Sequence, residues 1–220
     1  MFIEVPDLLN AAQIKRLQEI AAQAKFVDGR ISNPHNEAKK NRQIDHGDPL
    51  YQESSQLMAE AMMQNESVRN FAFASRFAPP LLCRYGSDMA YGKHADAAFL
   101  QIGQTPFRSD LSSTIFLTNP DTYEGGELKI HLGNKAVSVK GAAGSAILYP
   151  STTIHEVSPV TSGERLVAIT FIESQIMDEN KRHLLYSLNE VAALEGFNIS
   201  WDNRVALQHV CYSLHRMWST

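Results

Sequence analysis

The sequence predicts an α+β fold in which a double-stranded β-helix, or jelly roll, is flanked by N-terminal and C-terminal helices. Apolar residues recur at helical spacing near both ends of the chain. The middle instead contains short apolar runs separated by Gly, Pro, Asn or Asp. Because no helical pattern interrupts these runs, we expect antiparallel strands that form a closed or double-layered sheet.

The first part of the chain, residues 1–77, is predicted to support this sheet with two helices. Asn10 and Gln13 are spaced as the two members of a capping box, and apolar residues follow at helical spacing, which predicts a helix over about residues 10–25. A second helix is expected after Pro49, ending near residue 66. The polar segment 31–48 lacks periodicity and is predicted to be a surface loop near the site.

The sheet itself is predicted within residues 78–174. Strands are expected at residues 81–85, 99–102, 112–117, 127–132, 136–139, 145–149, 153–157 and 165–172. Gly133-Asn134 stands between two of them as a two-residue hairpin turn. Residues 175–220 are predicted to form a helical extension, with one helix around residues 184–191 and another over about 203–217.

Composition excludes several classes of function. The chain has 220 residues, a formal net charge of -4 and no run of Lys or Arg longer than two, so nucleic acid is not expected as a substrate. It has no apolar stretch of membrane-spanning length and no export signal at the N terminus, so we expect a soluble, cytoplasmic protein. Cys83 and Cys211 fit neither a disulfide framework nor a zinc motif, and both are expected to be reduced and buried.

Three residues are candidate metal ligands. Alternate residues of a strand point to the same face, so His94 and Asp96 can converge if both lie on one strand. His155, on a distant predicted strand, would add a second imidazole. Two imidazoles and one carboxylate, with coordination positions left open, suit a non-haem Fe(II) ion that binds a chelating cosubstrate and dioxygen. Zinc accepts the same ligands, but a four-coordinate zinc site would leave little room for that chemistry.

Arg165 is the candidate cosubstrate anchor. It begins the apolar run Leu-Val-Ala-Ile-Thr-Phe, where a permanently charged side chain beside a core strand needs an anionic partner. A planar guanidinium matches a carboxylate with two parallel hydrogen bonds, which suits the distal carboxylate of a dicarboxylic keto acid. The alternative is a structural salt bridge to Glu156 or Glu164.

Several short motifs occur in order along the middle of the chain. They are Tyr85, Tyr91-Gly92-x-His94-x-Asp96, Glu124-Gly125-Gly126-Glu127-Leu128, Tyr149-Pro150-Ser151, His155-Glu156-Val157-x-Pro159-Val160 and Arg165. Together they resemble the Fe(II)/2-oxoglutarate-dependent dioxygenases of the prolyl 4-hydroxylase type, and most closely the bacterial PKHD-type hydroxylases. The resemblance covers about residues 78–174.

This resemblance implies a set of roles and reactants. The implied site residues are the iron ligands His94, Asp96 and His155, the 2-oxoglutarate anchor Arg165, and Tyr85 along the cosubstrate pocket. The implied reactants are Fe(II), 2-oxoglutarate and dioxygen, with L-ascorbate returning stray ferric iron to the ferrous state. The implied reaction is hydroxylation of a peptidyl residue or a small molecule, with release of succinate and CO2.

Other functions remain open at this point. A non-catalytic jelly-roll sensor would bind metal or ligand without consuming 2-oxoglutarate. A nucleic-acid demethylase would carry a second arginine shortly after Arg165, but no basic residue follows before Lys181. A zinc hydrolase would need a general base, and the local candidate, Glu156, is expected to point away from His155. The apolar C-terminal helices could supply a homodimer surface.

Overall fold

The structure, a computed structural model, describes residues 1–34, 36–196 and 198–220. Within these residues the α-helices are α1 (Ala11–Gln23), α2 (Pro49–Gln64), α3 (Glu66–Ala72), α4 (Glu179–Glu195) and α5 (Trp201–Trp218). Short 3-10 helices span Gly29–Ser32 and Pro120–Thr122. None of the helices described here has both the length and the apolar character needed to cross a membrane.

Short strands make up most of the rest of the described chain. They are β1 (Ile3–Val5), β2 (Phe26–Asp28), β3 (Lys39–Lys40), β4 (Arg42–Ile44), β5 (Ala74–Phe77), β6 (Leu81–Tyr85), β7 (Ala90–His94), β8 (Phe99–Ile102), β9 (Thr105–Arg108), β10 (Leu111–Phe116), β11 (Glu124–Gly125), β12 (Leu128–Leu132), β13 (Lys135–Val139), β14 (Ala146–Pro150), β15 (His155–Val157), β16 (Val160–Ser162) and β17 (Arg165–Ser174).

Two antiparallel sheets form the body of the protein. The larger has the order β1-β14-β10-β17-β6-β4-β2, with β5 paired to β17, and the smaller has the order β13-β12-β15-β7-β3. Strands β11 and β16 form a separate pair, and β8 and β9 form a hairpin between the candidate ligand Asp96 and the central strand β10. The smaller sheet carries both candidate histidines, and the larger carries Arg165.

The alternation of side chains along the larger sheet explains how it packs on both faces. On β14, Ala146 and Leu148 pack in the helix-covered core, whereas Ile147 and Tyr149 face the second core between the sheets. Every residue of β10 is buried, because one face meets the helices and the other meets the inside of the jelly roll. A third, smaller core lies under α4 and α5 around Leu185 and Cys211.

Most predicted elements are present, with boundaries shifted by a few residues. The capping box forms as expected, because Asn10 and Gln13 exchange hydrogen bonds of 2.9 and 3.0 Å at the start of α1. The two-residue Gly133-Asn134 turn also forms, between the paired residues Leu132 and Lys135. The predicted strand at 153–157 is shorter and begins at His155, and α3 was not predicted.

The predicted loop at 31–48 is wrong in part. Strands β3 and β4 lie in this segment, where β3 pairs with β7 and β4 pairs with both β2 and β6. His35, which belongs to the same segment, lies outside the described residues. Lys39 and Asn41 are buried as a result, so this polar stretch contributes directly to the inner wall of the protein.

Candidate functional site

The pairing of β7 with β15 brings the two candidate histidines together. His94 ends β7 and His155 begins β15, and the two residues are direct cross-strand partners. Their ring centroids are 4.2 Å apart at an interplanar angle of 52°. The side chains are 9% and 6% exposed, so both imidazoles are held inside the jelly roll.

Asp96 reaches the same point from a different local structure than predicted. It lies beyond the end of β7, not on the strand, because the chain leaves the ladder after His94 and docks through the Asp96 amide on the Ser151 carbonyl at 3.3 Å. Its Oδ1 is 3.9 Å from His94 Nε2, and its Oδ2 is 3.7 Å from His155 Nε2. One donor atom from each of the three residues lies within 4.8 Å of the others, an arrangement that could hold a metal ion.

The protonation of the two imidazoles fits a cation. Nδ1 of His94 is 2.8 Å from the Gly92 carbonyl, and Nδ1 of His155 is 3.0 Å from the Thr153 carbonyl. A carbonyl oxygen only accepts, so Nδ1 of each ring carries a proton, and Nε2 is the nitrogen of each ring that is left to bind a metal. Burial lowers the pKa of His94, and the neighbouring His155 lowers it further. The two Nε2 atoms and the Asp96 carboxylate converge, and a divalent cation would suit all three as ligands.

A chain of serine hydroxyls fixes the Asp96 carboxylate. Ser112 Oγ donates to Asp96 Oδ2 at 2.5 Å, Ser112 and Ser151 hydroxyls are 2.8 Å apart, and Ser151 and Ser109 hydroxyls are 2.8 Å apart. Each hydroxyl has one proton, and that of Ser112 is used on the carboxylate. Ser151 must then donate to Ser112, and Ser109 to Ser151. The three hydroxyl donors are all directed toward the carboxylate, and this restrains its rotation.

Arg165 and Tyr85 form a matching cross-strand pair in the larger sheet. Arg165 is only 1% exposed, and its guanidinium carbon is 5.0 Å from the Tyr85 ring and 6.0 Å from the Phe116 ring. Nε and Nη1 of Arg165 have no hydrogen-bond partner among the described residues. Since buried donors are nearly always paired, these two groups point to an anion as their partner.

The structural salt bridge considered for Arg165 does not form. Glu164 lies 3.3 Å from Arg84, and Glu156 lies 3.2 Å from His131 on β12. Glu156 therefore projects away from His155, as expected, and it does not line the cavity that contains the histidines. This position gives a zinc hydrolase no general base at Glu156.

One cavity connects the two halves of the site. It is lined by His94, Asp96, His155, Arg165 and Tyr85, which are all five predicted site residues, together with further residues from both sheets. Burial raises the pKa of Tyr85 well above the usual range for a tyrosine, so its hydroxyl stays protonated. The structure thus places every predicted site residue in one enclosed space.

Several residues of this cavity were not assigned a role from the sequence. Tyr91 stacks on His94 with centroids 3.6 Å apart and an interplanar angle of 18°, and Tyr149 packs edge-on against His155 at 5.0 Å. Ser112 and Thr114 also line the cavity. The sequence contains a weak signal for the last two, because they are polar residues two positions apart in a predicted buried strand, and alternate residues of a strand lie on the same face.

Comparison with known proteins agrees with this geometry. The family model of the 2OG-Fe(II) oxygenase superfamily matches residues 80–173. A PKHD-type hydroxylase of Sphingopyxis alaskensis is 50% identical over 211 residues, which cover 96% of each chain.

Two solved structures are similar in fold. A Pseudomonas putida prolyl-4-hydroxylase has a TM-score of 0.55 at 17% identity, over 79% of this chain and 92% of that chain. A Trichoplax adhaerens prolyl hydroxylase, solved with a peptide fragment of hypoxia inducible factor, has a TM-score of 0.56 at 16% identity, over 83% and 86%. These similarities confirm the predicted double-stranded β-helix.

Proposed function

Since the chain belongs to the PKHD-type hydroxylases of the 2OG-Fe(II) oxygenase superfamily and is an Fe(II)/2-oxoglutarate-dependent dioxygenase, we propose that it hydroxylates a peptidyl or small-molecule substrate. We assign the iron to His94, Asp96 and His155, and the distal carboxylate of 2-oxoglutarate to Arg165. The observation that carries this assignment is the shared cavity, in which three converging acceptors face a guanidinium with two unpaired donors.

The residues of the chain have separate tasks in this reaction. When bound, the iron and 2-oxoglutarate supply oxidative decarboxylation to succinate and CO2, coupled to insertion of one oxygen atom of O2 into a C–H bond of the substrate. The two histidines present fixed Nε2 lone pairs, and the serine chain keeps the Asp96 carboxylate oriented. Arg165 binds the far end of the keto acid, and Tyr85 and Tyr149 exclude water from its sides.

We extend the proposal to the roles of the chain segments, the cellular setting and the partners of the protein. Residues 78–174 carry the chemistry, while 1–77 and 175–220 support the sheets and shape the approach to the cavity. The buried free thiols of Cys83 and Cys211 suit a reducing, cytoplasmic setting. The acidic net charge of -4 disfavours nucleic acid as a partner. We also propose that ascorbate restores ferrous iron and that apolar side chains of α5, such as Trp201 and Tyr212, serve a homodimer contact.

An anaerobic titration with Fe(II) and 2-oxoglutarate tests the site, with the visible charge-transfer band of the chelate as the signal. We expect Asp96→Ala to lose metal binding. Arg165→Ala should still bind metal, but its affinity for the keto acid should be weaker than that of the parent. Glu156→Ala is the matched control, because it removes a carboxylate next to His155 that faces the other way, and it should bind both like the parent.

A second assay measures whether the parent protein converts 2-oxoglutarate to succinate. With Fe(II), 2-oxoglutarate and O2, the parent should form succinate slowly even without a prime substrate. A parent that binds iron but never consumes the keto acid would be a sensor instead. If Asp96→Ala and Arg165→Ala both behave like the parent in the titration, the site assignment is wrong.

A further inference from the structure

A buried lysine lies in the wall of the metal cavity. Lys39 is 5% exposed and stands opposite Tyr91 in the pairing of β3 with β7. Its Nζ is 5.2 Å from the centroid of the Tyr91 ring, and that ring stacks on His94. Lys39 lines the cavity that contains the candidate metal ligands, so its ammonium group lies beside the reaction site.

The ammonium group of Lys39 has no counter-ion in the part of the chain that the structure describes. Its Nζ donates a hydrogen bond to the neutral hydroxyl of Ser32, at 2.6 Å, and no carboxylate of the described residues comes within 4.0 Å of it. Burial lowers the pKa of Lys39, although the negative charges of Asp96 and Asp28 oppose the shift. A buried charge without a partner is costly, and two of the three ammonium protons stay available for a ligand.

Lys39 also faces a second, outer cleft. This cleft has a volume of about 520 Å³ and shares Lys39 and Asn41 with the metal cavity. Its described lining contains the four basic residues Arg30, Lys39, Lys40 and Arg42 and the two acidic residues Asp28 and Glu37. Asp28 is already paired with Arg30 at 2.7 Å, which leaves three cations facing one carboxylate. The outer cleft is therefore electropositive in a protein whose net charge is -4.

We propose that Lys39 binds an anionic oxygen group, a carboxylate or a phosphate, on the prime substrate, which reaches the metal cavity through the outer cleft. This inference rests on the proposed function and specifies its substrate class. Lys40 and Arg42 attract the anion at the cleft, and Lys39 holds it beside the Tyr91 ring. Arg165 and Lys39 then bind different acidic molecules. The planar guanidinium of Arg165 binds the keto acid, and the ammonium group of Lys39 binds the substrate.

Binding of small paired probes tests this assignment. The protein is loaded with Mn(II) and saturating 2-oxoglutarate, so that the keto-acid site is filled and no turnover occurs. The probes are N-acetyl-glutamate α-amide against N-acetyl-glutamine α-amide, and N-acetyl-phosphoserine amide against N-acetyl-serine amide. Calorimetry should show that at least one anionic probe binds about 10- to 100-fold more tightly than its neutral partner, and the two pairs distinguish carboxylate from phosphate.

Variants identify the residue responsible. Lys39→Met should remove the preference for the anion, Lys39→Arg should keep most of it, and Lys15→Met, an equal charge change on the exposed face of α1, should leave it unchanged. Lys39→Gln retains a hydrogen-bonding end and replaces Lys39→Met if that protein does not fold. Anionic and neutral probes that bind equally, or that fail to bind the parent, overturn the proposal, as does a preference that survives the loss of the Lys39 charge.

The affinities for Mn(II) and 2-oxoglutarate separate this inference from the proposed function. Lys39→Met should bind both like the parent. If it loses the keto acid instead of the probe, Lys39 serves the cosubstrate and the substrate assignment is wrong, while the proposed function stands. If the parent itself does not bind 2-oxoglutarate, the proposed function has failed.

Discussion

Replacing Arg165 with Met should have opposite effects on cosubstrate binding and on the stability of the metal-free protein. Arg165 is 1% exposed, and its Nε and Nη1 have no partner among the described residues. A hydrogen bond to a charged group contributes about 1.5–3 kcal/mol. Two such bonds to the keto-acid carboxylate amount to about 3–6 kcal/mol, so Arg165→Met should weaken 2-oxoglutarate binding by about 10²- to 10⁴-fold.

The same substitution, Arg165→Met, should increase the stability of the metal-free protein. An unsatisfied buried donor costs about 1–3 kcal/mol, and Met removes two of them. The substitution also removes the cation–π contacts with the Tyr85 and Phe116 rings, at 5.0 and 6.0 Å. The loss of each contact reduces this stabilisation by about 0.5–2 kcal/mol. We expect the metal-free Arg165→Met protein to gain about 2 kcal/mol, which raises its Tm by about 4–8 °C.

Arg84→Met is the matched control. Arg84 belongs to the adjacent strand β6, but it already has a counter-ion and a hydrogen bond. Its Nε lies 3.3 Å from Glu164, an ion pair without hydrogen-bond geometry, and its Nη2 donates to the Ala21 carbonyl. Its loss should lower Tm and leave the keto-acid affinity unchanged. Calorimetric titration of the Mn(II)-loaded proteins measures Kd, and scanning calorimetry of the metal-free proteins measures Tm. An Arg165→Met protein that binds 2-oxoglutarate within tenfold of the parent, or that melts well below it, would refute the reasoning.

Three further changes test other parts of the structure. Ser112→Ala removes the hydrogen-bond donor to the Asp96 carboxylate and should weaken metal binding about 10- to 100-fold. The control Ser113→Ala removes a buried hydroxyl without a partner among the described residues and should leave metal binding unchanged. Equal Mn(II) affinities of the two variants would contradict the role of Ser112. Gly126→Ala places a Cβ 3.0 Å from the Arg165 side chain, at a backbone φ of 67°, so the affinity for the keto acid should fall. The control Gly133→Ala has a similar backbone φ of 65° but open space around it, so it should lower only the stability of the protein. Burial raises the pKa of the Cys83 thiol to about 11, so a thiol reagent at pH 8 should leave it unlabelled until the chain is unfolded, and rapid labelling of the native protein would show that it is accessible.

The parts of the fold that could be predicted are those whose signal is local. The Asn10–Gln13 capping box and the apolar periodicity behind it specify α1 within a few residues, since both partners lie in one turn of helix. The Gly133-Asn134 turn is equally local, because the positive φ of Gly133 is a property of that residue. Such features need no knowledge of the rest of the chain.

The segment 31–48 could not be predicted for the opposite reason. Strands β3 and β4 have two and three residues, too few for a period of two to stand out from a polar background. They exist because β7 and β6 offer edges to pair with. The burial of Lys39 follows from that pairing, so a residue that reads as a surface lysine in the sequence becomes part of the cavity wall.

The same division runs through the site. The sequence could propose His94, Asp96, His155 and Arg165 because the chemistry depends on their residue types and on their order along the chain. The role of Ser112 depends on the distance between β10 and the turn after β7, and that distance is set by the packing of two sheets. The sequence indicates only that Ser112 is polar at an inward position of a buried strand.

The geometry of the site therefore depends on the space between the sheets. The pair His94 and His155 belongs to the smaller sheet, and the pair Arg165 and Tyr85 belongs to the larger. Register fixes each pair internally, but only the core between the sheets fixes the separation of the candidate metal ligands from the guanidinium. Phe116 lies in that core, and its ring centroid is 6.0 Å from the Arg165 guanidinium carbon. In the proposed site, a keto acid of fixed length would have to span this separation, so the packing of the core would select the cosubstrate as directly as the charge of Arg165.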